Sequence, residues 1–181
     1  LMISLDIKIS RLWKKYSGKN TTIWIKGYFY SHTIDKIVNI CKNIKKDEIS
    51  SFIESIDGHF AIVVHKDDFT FIAVDKIRST PLFFTKIKDN FFVDSDPKNL
   101  VNLNSFDKLI EENARLEIAM SGFVIGNKTI YNNLHSLKAG EIVIFQGNSY
   151  EYLQYYKYFG EIINKSFEDY LKELSEVTLN I

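Results

Sequence analysis

The stretch of sequence that decides the fold lies at residues 56–95 and reads IDGHFAIVVHKDDFTFIAVDKIRSTPLFFTKIKDNFFVDS. Its four apolar runs, separated by short polar breaks, predict a β-meander. In the first run Phe60 and Ile62 would point one way and Ala61 and Val63 the other, so both faces are apolar. Such strands belong to a sheet that is covered on both sides. The runs are Phe60–His65, Phe69–Asp75, Leu82–Lys86 and Phe91–Ser95.

The composition of the chain limits its function. Its 181 residues are enough for one domain with a substantial core, and its single cysteine, Cys41, cannot form an internal disulfide. Lysine and arginine together number 23, as do aspartate and glutamate, so no net charge would attract nucleic acid or an anionic membrane. No apolar run reaches the roughly 18 residues of a membrane-spanning helix, and the histidines show no metal-ligand spacing. We therefore expect a cytoplasmic protein that binds neither nucleic acid, nor a membrane, nor a metal.

The residues before the meander predict strands followed by two helices. Helical periodicity places one apolar face within Ile34–Ile44 and another within Ile49–Ile56. Cys41 lies on the first of these faces, where a cysteine is typically a small core residue rather than an exposed nucleophile. Gly27 marks a bulge or a close approach of two backbones. The earlier segments are a strand at Ile3–Ile9, a polar turn at Lys14–Asn20 and a strand at Thr21–Ser31.

The residues after the meander predict a helix, a connector and a closing hairpin. The helix is expected at Asp107–Met120, with Leu109, Leu116 and Met120 directed inward and Gly122 just beyond its end. The other predicted segments are an irregular connector at 123–140 and hairpin strands at Glu141–Phe145 and Tyr150–Tyr156.

A last helix is expected from Ser166, whose hydroxyl, with Asp169 three residues on, suits an N-terminal cap. Its apolar side chains form a continuous stripe, which either packs back on the domain or faces a partner. The stripe consists of Phe167, Tyr170, Leu171, Leu174 and Val177.

The grouping of elements favours two stacked sheets. Helices come before and after the strands, and the sheet needs cover on both faces. The hairpins argue for antiparallel strands. We therefore predict an α+β fold, a four-layer αββα sandwich of two mainly antiparallel sheets. Periodicity alone would also allow a single sheet with helices on both sides.

Three motifs resemble, in order and spacing, the glutaminase domain of asparagine synthetase. The first is Asp57-Gly58-His59-Phe60-Ala61, the second is Asp75 followed by Pro81-Leu82-Phe83-Phe84, and the third is Ser95 followed by Lys98-Asn99-Leu100. The resemblance covers roughly residues 22–160 and implies the αββα sandwich of N-terminal-nucleophile hydrolases. The positions of this chain that match the family's structural motifs are here called framework positions. They are Asp57, Gly58, Asp75, Pro81 and Ser95.

The resemblance also implies a nucleophile that this chain does not show. In such glutaminases a cysteine at the first position of the mature chain attacks the glutamine amide, and its own α-amino group is the base. This sequence begins Leu1-Met2-Ile3, and no cysteine precedes Cys41. If Met2 is the initiator, the following residue has no nucleophilic atom. We therefore assign no catalytic residue.

The substrate-binding positions differ from the family as well. Lys26-Gly27-Tyr28 stands where the family has asparagine, glycine and glutamate, which line the glutamine pocket and the oxyanion hole. The aspartate that binds the substrate amine falls near Thr33 or Ile34, and Asp35 reaches that position only by a register shift. The family's arginine-bearing loop, which holds the substrate carboxylate, has no counterpart. Two framework positions also differ: Val74 stands where arginine is usual, and Arg78 where glycine is.

These departures imply a glutaminase-like domain at 1–160 without glutaminase activity, followed at 161–181 by a helix that leads into an absent synthetase domain. The intact protein would then be an asparagine-synthetase-like, ATP-dependent ligase that forms an amide or a ring. ATP and magnesium are expected in the synthetase domain, and no cofactor in this chain. The expected partner is that domain, in the same chain or as a separate subunit, and a homodimer is also compatible with the sequence.

Two alternatives remain open at this level. One is an active glutamine-hydrolysing amidotransferase domain whose N-terminal cysteine is missing from this sequence. The other is a stand-alone binding or scaffolding module that docks through the stripe between Phe167 and Val177.

Overall fold

The computed structural model describes residues 12–160 and 164–179. Within these residues, strands and helices occur in groups along the chain and form a mixed α+β arrangement. The strands are β1 (Lys14–Ser17), β2 (Thr21–Phe29), β3 (Gly58–Lys66), β4 (Thr70–Val74), β5 (Phe83–Ile87), β6 (Asn90–Asp94), β7 (Leu134–Ser136), β8 (Glu141–Gln146) and β9 (Ser149–Gln154). The helices are α1 (Ile34–Asn43), α2 (Ile49–Glu54), α3 (Pro97–Val101), α4 (Glu112–Ser121) and α5 (Phe167–Leu179), with a 3₁₀ turn at Lys46–Glu48.

The strands form two antiparallel sheets. The six-stranded sheet has the order β1-β2-β3-β4-β8-β9, and the three-stranded sheet has the order β6-β5-β7. In β3 and β4 the two faces are both buried, as the sequence predicts. Each face of the six-stranded sheet therefore packs against a different layer.

Helices α1 and α2 cover the outer face of the six-stranded sheet. Their fully buried side chains include Ile37, Cys41 and Ile53, which pack with Ile62 and Phe71 of the strands. Burying an aliphatic or aromatic side chain of this size contributes about 1.5–3 kcal/mol. The predicted apolar faces of these two helices are confirmed.

The second core lies between the sheets. Trp24, Val63 and Ile72 of the six-stranded sheet pack against Phe84 and Phe91 of the three-stranded sheet. A smaller cluster on the far side of the three-stranded sheet joins Leu100 of α3 to Phe106 and Leu134. The layers therefore run helix, sheet, sheet, helix, which confirms the α+β class and the four-layer αββα sandwich.

The predicted meander is divided between the two sheets. β3 and β4 pair in the six-stranded sheet, whereas β5 and β6 pair in the three-stranded sheet. β8 takes the place beside β4. Local apolar runs identify strands but not their pairing partners, and here the polar break at residues 76–81 carries the chain from one layer to the other.

Two loop predictions are wrong in part. The polar segment Lys14–Asn20 contains β1, which pairs with β2 and leaves only residues 18–20 as the turn. The connector at 123–140 contains β7, which pairs with β5. Strand pairing at the edge of a sheet imposes extended backbone on polar sequences. The predicted strand at Ile3–Ile9 lies outside the described residues.

The prediction for α4 is wrong in its start and its inward face. The helix begins at Glu112, after the segment around Ile110 forms a β-bridge with Tyr131. Leu109, Leu116 and Met120 are all exposed, and Ala114 is the buried residue of the helix. The helix does end at Gly122, whose left-handed backbone closes it as predicted.

Helix α5 begins as predicted, because the backbone N–H of Asp169 donates to the Ser166 hydroxyl at 3.2 Å. Its apolar stripe is exposed along the described part of the helix. Among the described residues, no helix is long and apolar enough to cross a membrane.

Candidate functional site

A buried carboxylate, that of Asp75, organises the loop that follows β4. Its Oδ2 accepts from the backbone N–H groups of Phe60 and Ser79, each at 3.0 Å, and its Oδ1 accepts from that of Ile77 at 2.9 Å. The Ser79 hydroxyl also donates to Oδ2. Hydrogen bonds to a charged acceptor are among the stronger ones in proteins. Asp75 therefore fixes residues 76–80 against the start of β3.

Arg78, in this loop, adopts a left-handed backbone with φ +58°. The resemblance to the asparagine synthetase glutaminase domain implies glycine at this position, and glycine takes this conformation without strain. The Arg78 side chain donates from Nη2 to the Ser136 hydroxyl at 2.6 Å and lies over the Phe83 ring. Burial lowers its pKa from the usual value, and Glu141 partly opposes that effect. The side chain thus ties the loop to β7.

Two framework positions lie at the beginning of β3, where Asp57 directly precedes the strand and Gly58 is its first residue. Asp57 accepts from the Lys76 ammonium at 2.7 Å. Gly58 has φ +154°, and a Cβ there would lie 2.2 Å from the carbonyl oxygen of Tyr28. Across the same ladder Gly27 has φ +129°, and its Cβ would lie 1.9 Å from the carbonyl oxygen of His59. The close backbone approach predicted at Gly27 is confirmed.

The remaining framework positions anchor the segments around the sheet interface. Ser95 accepts from the indole N–H of Trp13 at 3.4 Å, and Trp13 is buried between the sheets. Pro81 precedes Leu82, whose side chain is fully buried and whose carbonyl accepts from Leu137 at 3.1 Å. These contacts hold the segment before β1 next to the end of β6, and the end of the loop that follows β4 next to the residue after β7.

A cleft of about 500 Å³ lies where these segments meet, and we call it the Lys26 cleft. Lys26 and Tyr28 of β2 face the same side of the sheet as Ala61 and His59, their partners in β3. This side continues the face that packs between the sheets. The cleft is lined by Leu12, Lys14, Lys26, Gly27, Tyr28, His59, Ser79 and Thr80.

The structure thus brings the sequence-predicted positions 26–28 together at one cleft. The other candidate positions lie at the start of α1, where Thr33 caps the helix by accepting from the Lys36 backbone at 3.3 Å. Ile34 and Asp35 open the helix, and none of the three lines the cleft. The roles of all these residues in binding stay predictions.

The thiol of Cys41 is fully buried under α1, in the core on the other face of the sheet. Burial raises its pKa to about 12. A thiol is nucleophilic as the thiolate, so Cys41 is inert at neutral pH. The prediction that it is a core residue is confirmed.

Sequence reasoning missed the contributions of His59, Ser79 and Thr80 to the cleft. The register between β2 and β3 places His59 beside Tyr28, and the sequence carries no signal for that register. Ser79 and Thr80 follow from the Asp75 loop. An aspartate followed by a hydroxyl residue four positions on is the one local feature that could have pointed to them.

A model of the glutamine amidotransferase domain matches residues 39–157. The chain belongs to this family. The match to a glutamine amidotransferase domain covers the second half of α1 and the strands from β3 to β9. None of the curated proteins compared with the chain matches it.

Two solved structures are similar to this glutamine amidotransferase domain. One is glutamine phosphoribosylpyrophosphate amidotransferase from B. subtilis, complexed with ADP and GMP, at 11% identity and a TM-score of 0.45, covering 82% of this chain and 32% of that one. The other is described as the allosteric regulatory enzyme of purine biosynthesis, at 13% identity and a TM-score of 0.46, covering 77% of this chain and 30% of that one. The chain thus spans about a third of the length of either protein.

Proposed function

We propose that the chain is the non-catalytic, glutaminase-like amino-terminal domain of an asparagine-synthetase-like protein, whose intact form is an ATP-dependent ligase that makes an amide or a ring. The observation that carries the proposal is the lining of the Lys26 cleft. Lysine and tyrosine stand there in place of the asparagine and glutamate that the resemblance to active glutaminases implies.

The chemistry of amide hydrolysis is not supported by the groups at this cleft. The thiol of Cys41 lies on the opposite face of the six-stranded sheet, with its pKa raised by burial. The Ser79 hydroxyl donates to the Asp75 carboxylate, which also accepts from three backbone N–H groups, so both side chains hold the loop in place. Losing one oxyanion donor alone typically slows such reactions about 10²–10³-fold.

The proposal of an asparagine-synthetase-like protein rests on the framework positions. Asp57, Gly58, Asp75 and Ser95 each make a contact in the structure, and Pro81 precedes the buried Leu82. The framework positions thus match the family, whereas the substrate-binding positions differ from it. ATP and magnesium would act in a synthetase domain, in the same chain or as a separate subunit, and this chain would hold no cofactor.

The exposed stripe of α5 supports docking to such a domain. Phe167, Leu171 and Val177 are each half exposed or more. An apolar stripe of this kind usually marks an interaction surface. We assign it to the synthetase domain, to which the segment after Gly160 would connect.

The proposal is tested by incubating the full chain with glutamine and following glutamate and ammonia. No release above that of a heat-inactivated sample is expected. Glutamate release would instead support an active glutamine-hydrolysing domain. The same assay on the intact gene product, with its N-terminal residue identified by mass spectrometry, would show whether a cysteine precedes this sequence.

A further inference from the structure

Lys26 differs from the other half-buried lysines, because its ammonium has no acceptor among the described residues. Lys66 donates to the Ile44 carbonyl at 2.6 Å, Lys76 to Asp57 at 2.7 Å, and Lys86 to the Asn148 carbonyl at 2.8 Å. Lys26 makes no hydrogen bond or ion pair with any described residue, although it lines a cleft. A partly buried ammonium that lacks a partner loses hydration without compensation.

The other polar groups of the cleft lining, as far as it is described, are neutral or basic. Thr80 is only 8% exposed, and its hydroxyl forms no hydrogen bond with a described residue. Lys14, at the start of β1, is a second lysine of the lining and is exposed. No carboxylate is part of this lining. The nearest carboxylates along the chain are Asp57, which pairs with Lys76, and Asp75, whose two oxygens are engaged by the loop.

This arrangement suits a negatively charged ligand rather than glutamine. A lysine ammonium and a neighbouring hydroxyl are typical partners of carboxylate or phosphate oxygens. Free glutamine also carries an α-ammonium, which needs a carboxylate or a set of acceptors in its pocket. A volume of about 500 Å³ is within the range of small-molecule sites.

We propose that the Lys26 cleft binds a small organic anion through a carboxylate or phosphate group, held by the Lys26 ammonium with Thr80 beside it. The inference rests on the proposed function, in that the cleft serves binding and not hydrolysis. It names the ligand class of the cleft, which the family membership leaves open.

The test is isothermal titration calorimetry of the full chain with glutarate, inorganic phosphate and glutamine. Glutarate or phosphate is expected to bind more tightly than glutamine, and the stronger of the two identifies the group that is recognised. Lys26→Gln should weaken that binding roughly tenfold or more, because a charge-assisted hydrogen bond is lost. Lys26→Arg should keep most of it.

The matched control is Lys108→Gln, since Lys108 is exposed and lies outside the cleft lining. This variant should bind as the parent does, and circular dichroism should show all variants folded. The inference is overturned if neither anion binds, if glutamine binds most tightly, or if Lys26→Gln binds as well as the parent. Glutamate release from glutamine in the same samples would overturn the proposed function instead.

Discussion

At the scale of single residues, backbone conformation explains why the framework contains glycine where it does. Gly27 and Gly58 lie two positions apart along the β2–β3 ladder, and a Cβ at either would overlap a carbonyl oxygen of the facing strand. Their spacing brings the two backbones together directly beside the Lys26 cleft. The cleft therefore depends on two positions that carry no functional group.

Gly27→Ala should destabilise the protein by about 3 kcal/mol or more, because the new Cβ overlaps backbone atoms that cannot move independently. The measurement is urea denaturation. The control is Gly147→Ala: Gly147 also has a positive φ, of +60°, but no atom lies within 4 Å of its Cβ position. That change should cost about 1 kcal/mol, the ordinary cost of a left-handed residue. Equal losses in the two variants would contradict the steric explanation.

Arg78 allows the backbone cost to be separated from the side-chain contacts. Arg78→Ala and Arg78→Gly both remove the bond to Ser136 and the contact with Phe83. Because φ is +58°, the glycine variant should be the more stable of the two by about 1 kcal/mol. At an ordinary position alanine is favoured, so urea midpoints in the opposite order would show that this loop does not hold the left-handed conformation in solution.

At the scale of elements, helix α1 shows how a buried face controls chemistry. The periodicity that predicts its apolar side also predicts that Cys41 is inaccessible, and the structure agrees. The same reasoning failed for α4. Its apolar residues do not lie on one side of the helix, so periodicity did not show which side is buried.

Cys41 should react with a thiol reagent at pH 8 only after the protein is unfolded. Its pKa of about 12 leaves roughly one thiol in 10⁴ ionised in the folded state, against about one in ten for an unfolded thiol with a pKa near 9.0. Because the pKa of Cys41 is higher in the folded protein than in the unfolded one, protonation of the thiol favours the folded state. This contribution to the free energy of unfolding is complete below pH 9 and is lost as the pH rises toward 12.

The measurement is labelling with a chromogenic disulfide, with and without urea. The Cys41→Ala variant is the control for the pH effect. Between pH 9 and 12 its free energy of unfolding should fall less than that of the parent, because it has no thiol to ionise. Fast labelling of the folded parent would mean that α1 opens readily or that the thiol is not buried in solution.

At the scale of the whole molecule, the sequence was sufficient for the layers but not for the connections between them. Strands that are apolar on both faces demand cover on each side, and two apolar helices supply part of it, so the sandwich follows. The division of the meander does not follow, because β4 pairs with β8, about 70 residues along the chain. Contacts at that separation leave no local pattern.

The candidate site shows the same limit. Positions 26–28 could be placed through the resemblance to a glutaminase, and the structure brings them to one cleft. His59 and Thr80 could not, since they join the cleft through strand register and through the hydrogen bonds of Asp75. The resemblance identified positions 26–28 as departures from the glutaminase pattern. The packing of strands and loops determines which other residues line the cleft with them.

Helix α5 provides the test of the predicted division at residue 160. Each described residue of the helix is exposed, so a chain ending at Gly160 should unfold at nearly the same urea concentration as the full chain, with a difference of about 0.5 kcal/mol or less. The control is a chain ending at Gly147. It loses β9 and the bond from the Tyr155 hydroxyl to the Val74 carbonyl at 2.8 Å, and should not fold cooperatively. A large loss on removing residues 161–181 would mean that the stripe packs against the sandwich in solution and is not available to a synthetase domain.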